Sequence, residues 1–212
     1  TQSRSSAASD VYKRQAIYFM KHVLGNGSLL GLFSMMKMFP VIIALIFTPI
    51  LVKKTGSMQK VNFWGYVISD ILGIFLIIFA MQKNLPMMLL FMFLKGTFAG
   101  TMSGTLNALI AEISGYTYRT KGVHIDGMMF SCSSLGVKVG GGIGTAAVGW
   151  LLHAAGYAGK AATQTAAATN MIFSMYITIP VILGVVITIL LGLMKVEKEN
   201  KRIDMERAEQ AD

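Results

Sequence analysis

The stretch MIFSMYITIPVILGVVITILLGLM, residues 171–194, decides the fold, because no charged side chain interrupts it. A helix needs about 20 mainly apolar residues to cross the hydrocarbon core of a bilayer. This stretch therefore predicts a membrane-spanning helix. The chain is predicted to be an all-α integral membrane protein, because other apolar runs are long enough as well. These runs lie at about residues 29–52, 61–81, 86–113 and 128–154.

The segments at the two ends of the chain differ in composition from the apolar runs between them. Residues 1–15 are polar and resemble a translated adaptor sequence, so we expect a non-native or disordered tail there. Residues 16–25 are too few to span a bilayer and include Lys21, which predicts the outer end of a truncated helix. Residues 195–212 mix Glu with Lys and Arg, which is typical of a solvated tail helix.

The composition favours lipid around most of the chain. Charged residues make up 14% of the sequence, whereas soluble domains carry about 25%. The net charge of +9 is spread between apolar runs instead of forming one polar stripe, so we expect no nucleic-acid partner. The single cysteine, Cys132, excludes an intrachain disulfide, and no Cys or His residues have zinc-binding spacing. No metal site is therefore expected.

Basic residues mark alternate connections between the apolar runs, and cytoplasmic loops are the ones that gather Lys and Arg. This bias predicts that the more basic side, with the C-terminus, is cytoplasmic. The opposite side contains Lys21, Lys83 and Lys160. The more basic side contains Lys53, Lys54, Lys60, Arg119, Lys121, Lys195, Lys198, Lys201, Arg202 and Arg207.

Four charged residues inside the predicted spans stand out, because a charge there costs roughly 3 kcal/mol on insertion scales. Lys37 and Lys95 lie toward the outer halves of their helices, which favours pairing or snorkelling to the interface. Asp70 lies nearer mid-depth and either neutralises one of these lysines or takes part in coupling. Lys138 is near the middle of its helix, so we expect it to face a water-filled cavity.

Two helices have polar seams. Helical spacing places Ser131, Ser134 and Lys138 on one face, in a Gly-rich helix that we expect to be closely packed. Ser103 and Asn107 share a face of the preceding helix with Gly96 and Gly100. The Asn107 amide suits a sugar hydroxyl or an interhelical hydrogen bond, and both readings remain open. No nucleophile–base arrangement is visible, so the chain is not expected to be an enzyme.

The segment AEISGYTYRTKGVHIDGMMFSCSSLGVKVGGGIGTAAVGWLLHAAGY, residues 111–157, contains a longer pattern. An acidic residue ends one helix, a loop with a tyrosine follows, and the next helix contains a lysine and ends in a Gly-Tyr pair. The pattern comprises Glu112, Tyr116, Gly122, Asp126, Gly127, Lys138, Gly156 and Tyr157. In these positions the segment resembles helices ten and eleven of the glycoside–pentoside–hexuronide:cation symporters, the melibiose permease family.

The resemblance extends over about residues 16–195, since AIYFMKHVLGNGSLLG (residues 16–31) is similar to the end of the family's helix seven. The chain also departs from the family. Gly115 and Tyr118 replace acidic loop residues, and His124 replaces an arginine. Ser103 stands where some members have a tryptophan that contacts sugar.

The resemblance implies the C-terminal six-helix half of a major facilitator fold, with its first helix truncated. It implies symport of sugars or glycosides with Na⁺ or H⁺ by alternating access, in a bacterial inner membrane, without a cofactor. The cation ligands would lie mostly in a missing N-terminal half. The substrate-binding residues implied are Ser103, Asn107, Ser134 and Lys138. The coupling or gating residues implied are Lys138, Asp70, Glu112, Tyr116 and Asp126.

Two other functions remain open at this point. A different major facilitator transporter, such as a proton-coupled exporter, would share the fold. A membrane scaffold subunit without a transport cycle would have paired intramembrane charges and a dry interior.

Overall fold

The computed structural model describes residues 15–159, 161 and 163–210, and every regular element within them is helical. Residues 1–14 of the predicted tail over residues 1–15 lie outside the described residues, as does the predicted outer-side Lys160, whereas Gln15 begins the first helix. The α-helices are α1 (15–22), α2 (Leu30–Thr55), α3 (Met58–Met81), α4 (Leu85–Ala99), α5 (Thr101–Lys121), α6 (Asp126–Ala154), α7 (Ala166–Phe173), α8 (Ile179–Leu193) and α9 (Val196–Glu209). A 3-10 turn, Gly27–Leu29, precedes α2, and a π turn, Ser174–Thr178, joins α7 to α8.

Five helical stretches are long and apolar enough to cross a bilayer, which confirms the predicted all-α membrane fold. They are Gly27–Thr55, Met58–Met81, Leu85–Lys121, Asp126–Ala154 and Ala166–Glu209. Large apolar side chains cover much of their outer surface, including Ile189 and Leu190 on α8. Lipid is the solvent that accepts such a surface, because hydrocarbon chains need no hydrogen bonds from it.

The aromatic core lies where α1 meets α2 and the π turn. Phe19 of α1 and Phe33 of α2 are both fully buried. The Phe19 ring stacks on Tyr176, with 4.7 Å between the ring centroids. This stacking holds the short α1 against the longer helices.

The predicted single helix over 86–113 is wrong in two respects. It is divided at Gly100, where the Ser103 amide donates to the Gly100 carbonyl at 3.0 Å, a bond across three residues that tightens the turn. Its second part, α5, continues to Lys121, so the residues after Ile113, which lay outside the predicted helix, are helical as well. A glycine within a helix costs only about 1 kcal/mol, so Gly115 does not end α5. Gly122, at φ +71°, does.

Glycines bring α2 close to α4 and α5. A Cβ atom at Gly100 would lie 2.7 Å from the Ala44 Cβ, and one at Gly96 would lie 3.1 Å from Pro40. The face that contains Gly96 and Gly100 is therefore a contact between helices. Small residues suit this role, because membrane helices associate through close van der Waals packing.

The Gly-rich helix α6 differs from expectation. A Cβ atom at Gly136, Gly140, Gly142 or Gly149 would have no atom of the described chain within 4 Å. The expected close packing of α6 is therefore wrong for the described residues. Glycine permits close approach but does not create it, and the neighbouring helices α5 and α7 do not reach these positions.

The C-terminal helix α9 is docked, although its charge pattern predicted a solvated helix. Glu197 and Asn200 on α9 are 5% and 2% exposed. The Arg119 guanidinium at the end of α5 binds the Asp204 carboxylate through two bonds of 2.7 and 3.0 Å. These contacts join residues far apart in sequence, and local charge patterning cannot reveal them.

Candidate functional site

Pro180 explains the π turn that shapes the main cavity. Proline has no amide hydrogen, and its ring clashes with the carbonyl four residues earlier, which here belongs to Tyr176. The chain widens at this point, so that the Ile179 amide donates to the Ser174 carbonyl, five residues before it. Such π turns are frequent at functional sites. The widening brings Tyr176 and Ile177 to the edge of a cavity between helices.

That cavity has a volume of about 360 Å³ and lies among α2, α4, α5 and the π turn. Its walls are mainly apolar, with a few polar groups, which is the usual make-up of a small-molecule site. Ser103 lies midway between Leu85 and Lys121, so it is near the middle of its span. The polar side chains of the lining are Lys37, Lys95, Ser103 and Tyr176.

Both lysines of this cavity were expected to be structural. Lys95 is half-buried, and its Nζ donates to the Ser69 Oγ of α3 at 3.3 Å. Lys37 is more exposed and lies on the α2 side of the same cavity. The sequence did single out both lysines, because their charges lie inside apolar runs. Helical spacing within one helix could not show that they meet across helices.

Asp70 is not positioned as an ion-pair partner of either lysine. Its Oδ2 accepts a 2.6 Å hydrogen bond from the Thr188 Oγ1 of α8. Within the described residues, no Lys or Arg nitrogen lies within 4.0 Å of its carboxylate, and Oδ1 has no hydrogen-bond partner. The Asp70 carboxylate is nevertheless close enough to the Lys95 ammonium to attract it, so the expectation that Asp70 neutralises one of the lysines stays a prediction. Gly184 of α8 provides the space for this carboxylate, because a Cβ atom there would clash with Oδ1.

The polar face of α6 forms a second, shallower depression of about 310 Å³. Ser131, Ser134 and Lys138 line it together, as their spacing predicts. The serine hydroxyls donate to carbonyls one turn earlier, at 2.7 and 2.8 Å. This depression and the main cavity share no lining residue. Asn107 is exposed on α5 and lines neither.

The residues expected to act in coupling or gating lie partly at the basic end of the bundle. The Glu112 Oε2 and carbonyl both accept hydrogen bonds from the Asn200 amide of α9, at 2.6 and 2.9 Å. Tyr116 is half-buried one turn further along α5. Asp126 is the first residue of α6, with its Oδ2 3.8 Å from the Nδ1 of His124. Lys138 and Asp70 lie elsewhere, so the five residues do not form one cluster.

The basic end also contains polar contacts that were not expected from the sequence. The Glu197 Oε2 of α9 accepts hydrogen bonds from the Ser57 hydroxyl at 3.1 Å and from the Gln59 backbone amide at 2.9 Å. Its Oε1 is 3.1 Å from the Lys201 Nζ. The hydrogen bond from Arg119 lowers the pKa of Asp204 below its ordinary value. Together these contacts clamp α9 across the ends of α3 and α5.

A resident metal centre has no support among the described residues. No group of three or more His, Cys, Asp or Glu side chains there could hold a metal ion. The polar groups of the two cavities are hydroxyls and ammonium groups, which suit hydrogen bonding to an uncharged or anionic solute.

The sequence matches a family described as "MFS/sugar transport protein" over residues 6–198. This match begins inside the stretch expected to be a non-native tail. No solved structure matches the chain significantly.

The relatives of the chain include three bacterial proteins. The isoprimeverose transporter of Lactiplantibacillus pentosus is 27% identical over 182 residues, covering 86% of this chain and 37% of that protein. An "Uncharacterized 29.9 kDa protein in crtE 3'region" of Pseudescherichia vulneris is 26% identical over 176 residues, covering 82% of this chain and 62% of that protein. YagG of Escherichia coli (strain K12), named as a candidate glycoside/cation symporter, is 28% identical over 109 residues, covering 49% of this chain and 24% of that protein. The chain therefore spans less than two thirds of each of these relatives.

Proposed function

Since this chain belongs to the MFS/sugar transport protein family, we propose that it is part of a secondary transporter that carries a sugar or glycoside together with Na⁺ or H⁺. Two of its relatives are named for isoprimeverose transport and for glycoside/cation symport, which supports this class of substrate. Because these relatives are longer, we also propose that an N-terminal half pairs with this chain.

The observation that carries the proposal is the cavity at mid-span. Ser103 and Tyr176 offer hydroxyl groups, and Lys37 and Lys95 provide positive charge inside apolar walls. Charges at membrane depth are costly, and they usually mark a substrate or ion pathway. A sugar needs several hydrogen-bond donors and acceptors against an otherwise apolar surface, and this lining offers that combination.

Lys138 forms a second part of the proposed transport path. It lies near the middle of α6 with two serines beside it, and a Cβ atom at the nearby Gly136, Gly140 or Gly142 would have no described atom within 4 Å. We propose that helices of the N-terminal half approach this face and turn the shallow depression into a cavity wall. Lys138 would then interact with carboxylates across the cavity and link cation binding to sugar binding.

The proposed membrane is the bacterial inner membrane, with the C-terminus in the cytoplasm. The basic connections and α9 lie together at one end of the bundle, as the contact of Lys201 with the Gly56 carbonyl and that of Arg119 with Asp204 illustrate. Cytoplasmic loops carry the excess of Lys and Arg, so this end faces the cytoplasm in the proposal.

The test is uptake of radiolabelled glycosides and pentosides by cells that express the full-length protein, with and without a sodium or proton gradient. We expect gradient-dependent uptake of at least one sugar, and its loss in Lys138→Ala at unchanged protein level. Lys53→Ala, at an exposed position at the end of α2, is the matched control and should transport normally. A well-inserted protein that takes up none of the sugars would contradict the proposal and favour an exporter or a scaffold.

A further inference from the structure

A groove of about 490 Å³ lies at the basic end of the bundle, outside both cavities described above. It is enclosed by the start of α3, the end of α8 and the start of α9. Its apolar floor is formed by Phe63, Leu191, Gly192 and Met194. Its rim contains Lys60, Lys195, Lys198 and Lys201. An apolar floor under a rim of four lysines suits a ligand that has both an anionic group and a hydrocarbon part.

Most of this positive charge is available to a ligand. Lys201 binds the Glu197 carboxylate at 3.1 Å and also contacts the Gly56 carbonyl. Within the described residues, Lys60, Lys195 and Lys198 have no ion-pair partner. The acid of the lining, Glu197, is 5% exposed and already accepts several hydrogen bonds. The accessible rim is therefore positive.

Buried hydrogen bonds hold the walls of the groove together. The Gln59 side-chain amide donates to the Leu191 carbonyl at 2.8 Å and also contacts the Met194 carbonyl, which ties α3 to the end of α8. The Ser57 hydroxyl caps α3 by accepting from the Lys60 amide at 3.1 Å, and it also donates to Glu197. The lysines thus project from a fixed frame, which lowers the entropy lost when a ligand binds.

The groove is continuous with the apolar outer surface of α3 and α8. Trp64 follows the floor residue Phe63 and is 60% exposed, and Leu193 follows Gly192 and is 69% exposed. Exposed tryptophan at the end of a span is typical of the membrane–water interface. Gly192 lets α8 approach the Phe63 ring closely, because a Cβ atom there would lie 3.1 Å from that ring.

We propose that this groove binds an anionic phospholipid of the adjoining leaflet, such as phosphatidylglycerol. Lys60, Lys195 and Lys198 bind its phosphate, and one acyl chain lies over Phe63 and Leu191. The positive rim selects an anionic headgroup over a zwitterionic one. The apolar floor and its continuity with the lipid-facing surface select a lipid over a soluble anion. Basic pockets between spanning helices on the cytoplasmic side are suited to such headgroups.

The experiment uses the full-length protein that contains this chain, purified and analysed by native mass spectrometry with phosphatidylglycerol or phosphatidylcholine added. We expect the wild-type protein to retain phosphatidylglycerol roughly tenfold more strongly than phosphatidylcholine. The combined variant Lys60→Gln, Lys195→Gln, Lys198→Gln should lose this preference. Lys201 is left unchanged because it supports Glu197.

The matched control is Lys53→Gln, Lys54→Gln, Lys121→Gln, which removes the same charge from exposed positions at the same end. It should keep the preference for phosphatidylglycerol. Equal preference in the groove variant and the wild type would overturn the proposal, as would equal loss in both variants. Competition by glycerophosphoglycerol, which has the headgroup without acyl chains, would overturn it as well, because the apolar floor would then have no role. These outcomes do not depend on transport.

Discussion

At the residue scale, Asp70 and Thr188 link two spanning helices through one hydrogen bond. The bond joins the Thr188 Oγ1 to the Asp70 Oδ2 at 2.6 Å, inside the contact between α3 and α8. A hydroxyl that donates to a buried carboxylate offsets part of the cost of its desolvation. Asp70 is 8% exposed, so it depends on this partner.

Thr188→Val keeps the shape of the side chain and removes the donor, so it leaves the Asp70 carboxylate with less compensation. We expect a loss of about 1–3 kcal/mol in the free energy of unfolding, measured as a lower midpoint of thermal unfolding of the purified full-length protein. Thr188→Ser retains the hydroxyl and should stay close to the wild type. Equal midpoints for the Val and Ser variants would show that the hydrogen bond contributes nothing.

The placement of a residue could be predicted where it depended only on spacing within one helix. The shared face of Ser131, Ser134 and Lys138 follows from helical geometry, and the structure has it. The meeting of Lys37 and Lys95 at one cavity, and the contact of Asp70 with Thr188, depend on which helices are neighbours. The spacing of residues along one helix contains no such information.

At the element scale, the junction of α4 and α5 is a sterically restricted point of the bundle. Gly100 lies against Ala44 with no room for a Cβ atom, since the two would be 2.7 Å apart. The methyl group of Ala44 cannot rotate away, unlike the end of a long side chain. This junction positions Ser103 at the cavity, because the tight turn at Gly100 sets the direction of α5.

Gly100→Ala should therefore destabilise the protein, even though alanine favours helices. We expect a cost of about 1–3 kcal/mol from overpacking, seen as a lower midpoint of thermal unfolding. Gly31→Ala is the control, because Gly31 lies in α2 with no described atom within 4 Å of a Cβ there. If Gly100→Ala were as stable as Gly31→Ala, the close contact between α2 and the α4–α5 junction would be disproved.

The docking of α9 on α5 should depend on pH through Asp204. The Arg119 hydrogen bond lowers the pKa of Asp204 in the folded state. The contribution of this pair is therefore fully present above the ordinary Asp pKa of about 3.9, and it is lost as the pH falls through the lowered pKa. Both partners are solvent-accessible, so the effect is modest.

Hydrogen exchange of the α9 amides measures this docking. We expect Asp204→Asn to lower the protection of these amides at neutral pH, where protection is the exchange rate relative to that of an unstructured peptide at the same pH. The variant should also abolish the fall in protection that the wild type shows on strong acidification. Glu206→Gln is the control, because Glu206 pairs with Arg202 inside α9, at 3.4 Å. Identical exchange in Asp204→Asn and Glu206→Gln would mean that the Arg119–Asp204 pair does not hold α9.

A helix could be predicted from the sequence wherever an apolar run was long and uninterrupted. The spanning helices are of this kind, because lipid requires every backbone polar group to bond within its own segment. The division at Gly100, the π turn before Pro180 and the docking of α9 were not predictable. Each depends on a contact with another helix, such as Ala44 for Gly100 or Ser57 for Glu197.

At the scale of the whole molecule, the helices of this chain are unequally packed. Helices α2, α3, α4, α5 and α8 share close glycine contacts and buried hydrogen bonds. Helix α6 keeps its glycines and Lys138 open within the described residues. This asymmetry agrees with the proposed role of the chain as one wall of a transport path, completed by an N-terminal half.

The central claim, that a sugar occupies the cavity beside Ser103, is tested most directly by cysteine protection. The full-length protein would carry Cys132→Ser to remove the native thiol, together with Ser103→Cys. Labelling of the purified protein by a hydrophilic maleimide, which reaches both ends of the bundle, would be followed with and without the transported sugar. Val123→Cys, exposed in the connection between α5 and α6, is the control for general effects of the sugar on the reagent.

If a sugar occupies the cavity, the thiol at position 103 should react from water. The sugar should slow this reaction several-fold, while labelling at position 123 stays constant. A thiol at position 103 that does not react, or that reacts at the same rate with saturating sugar, would contradict the account.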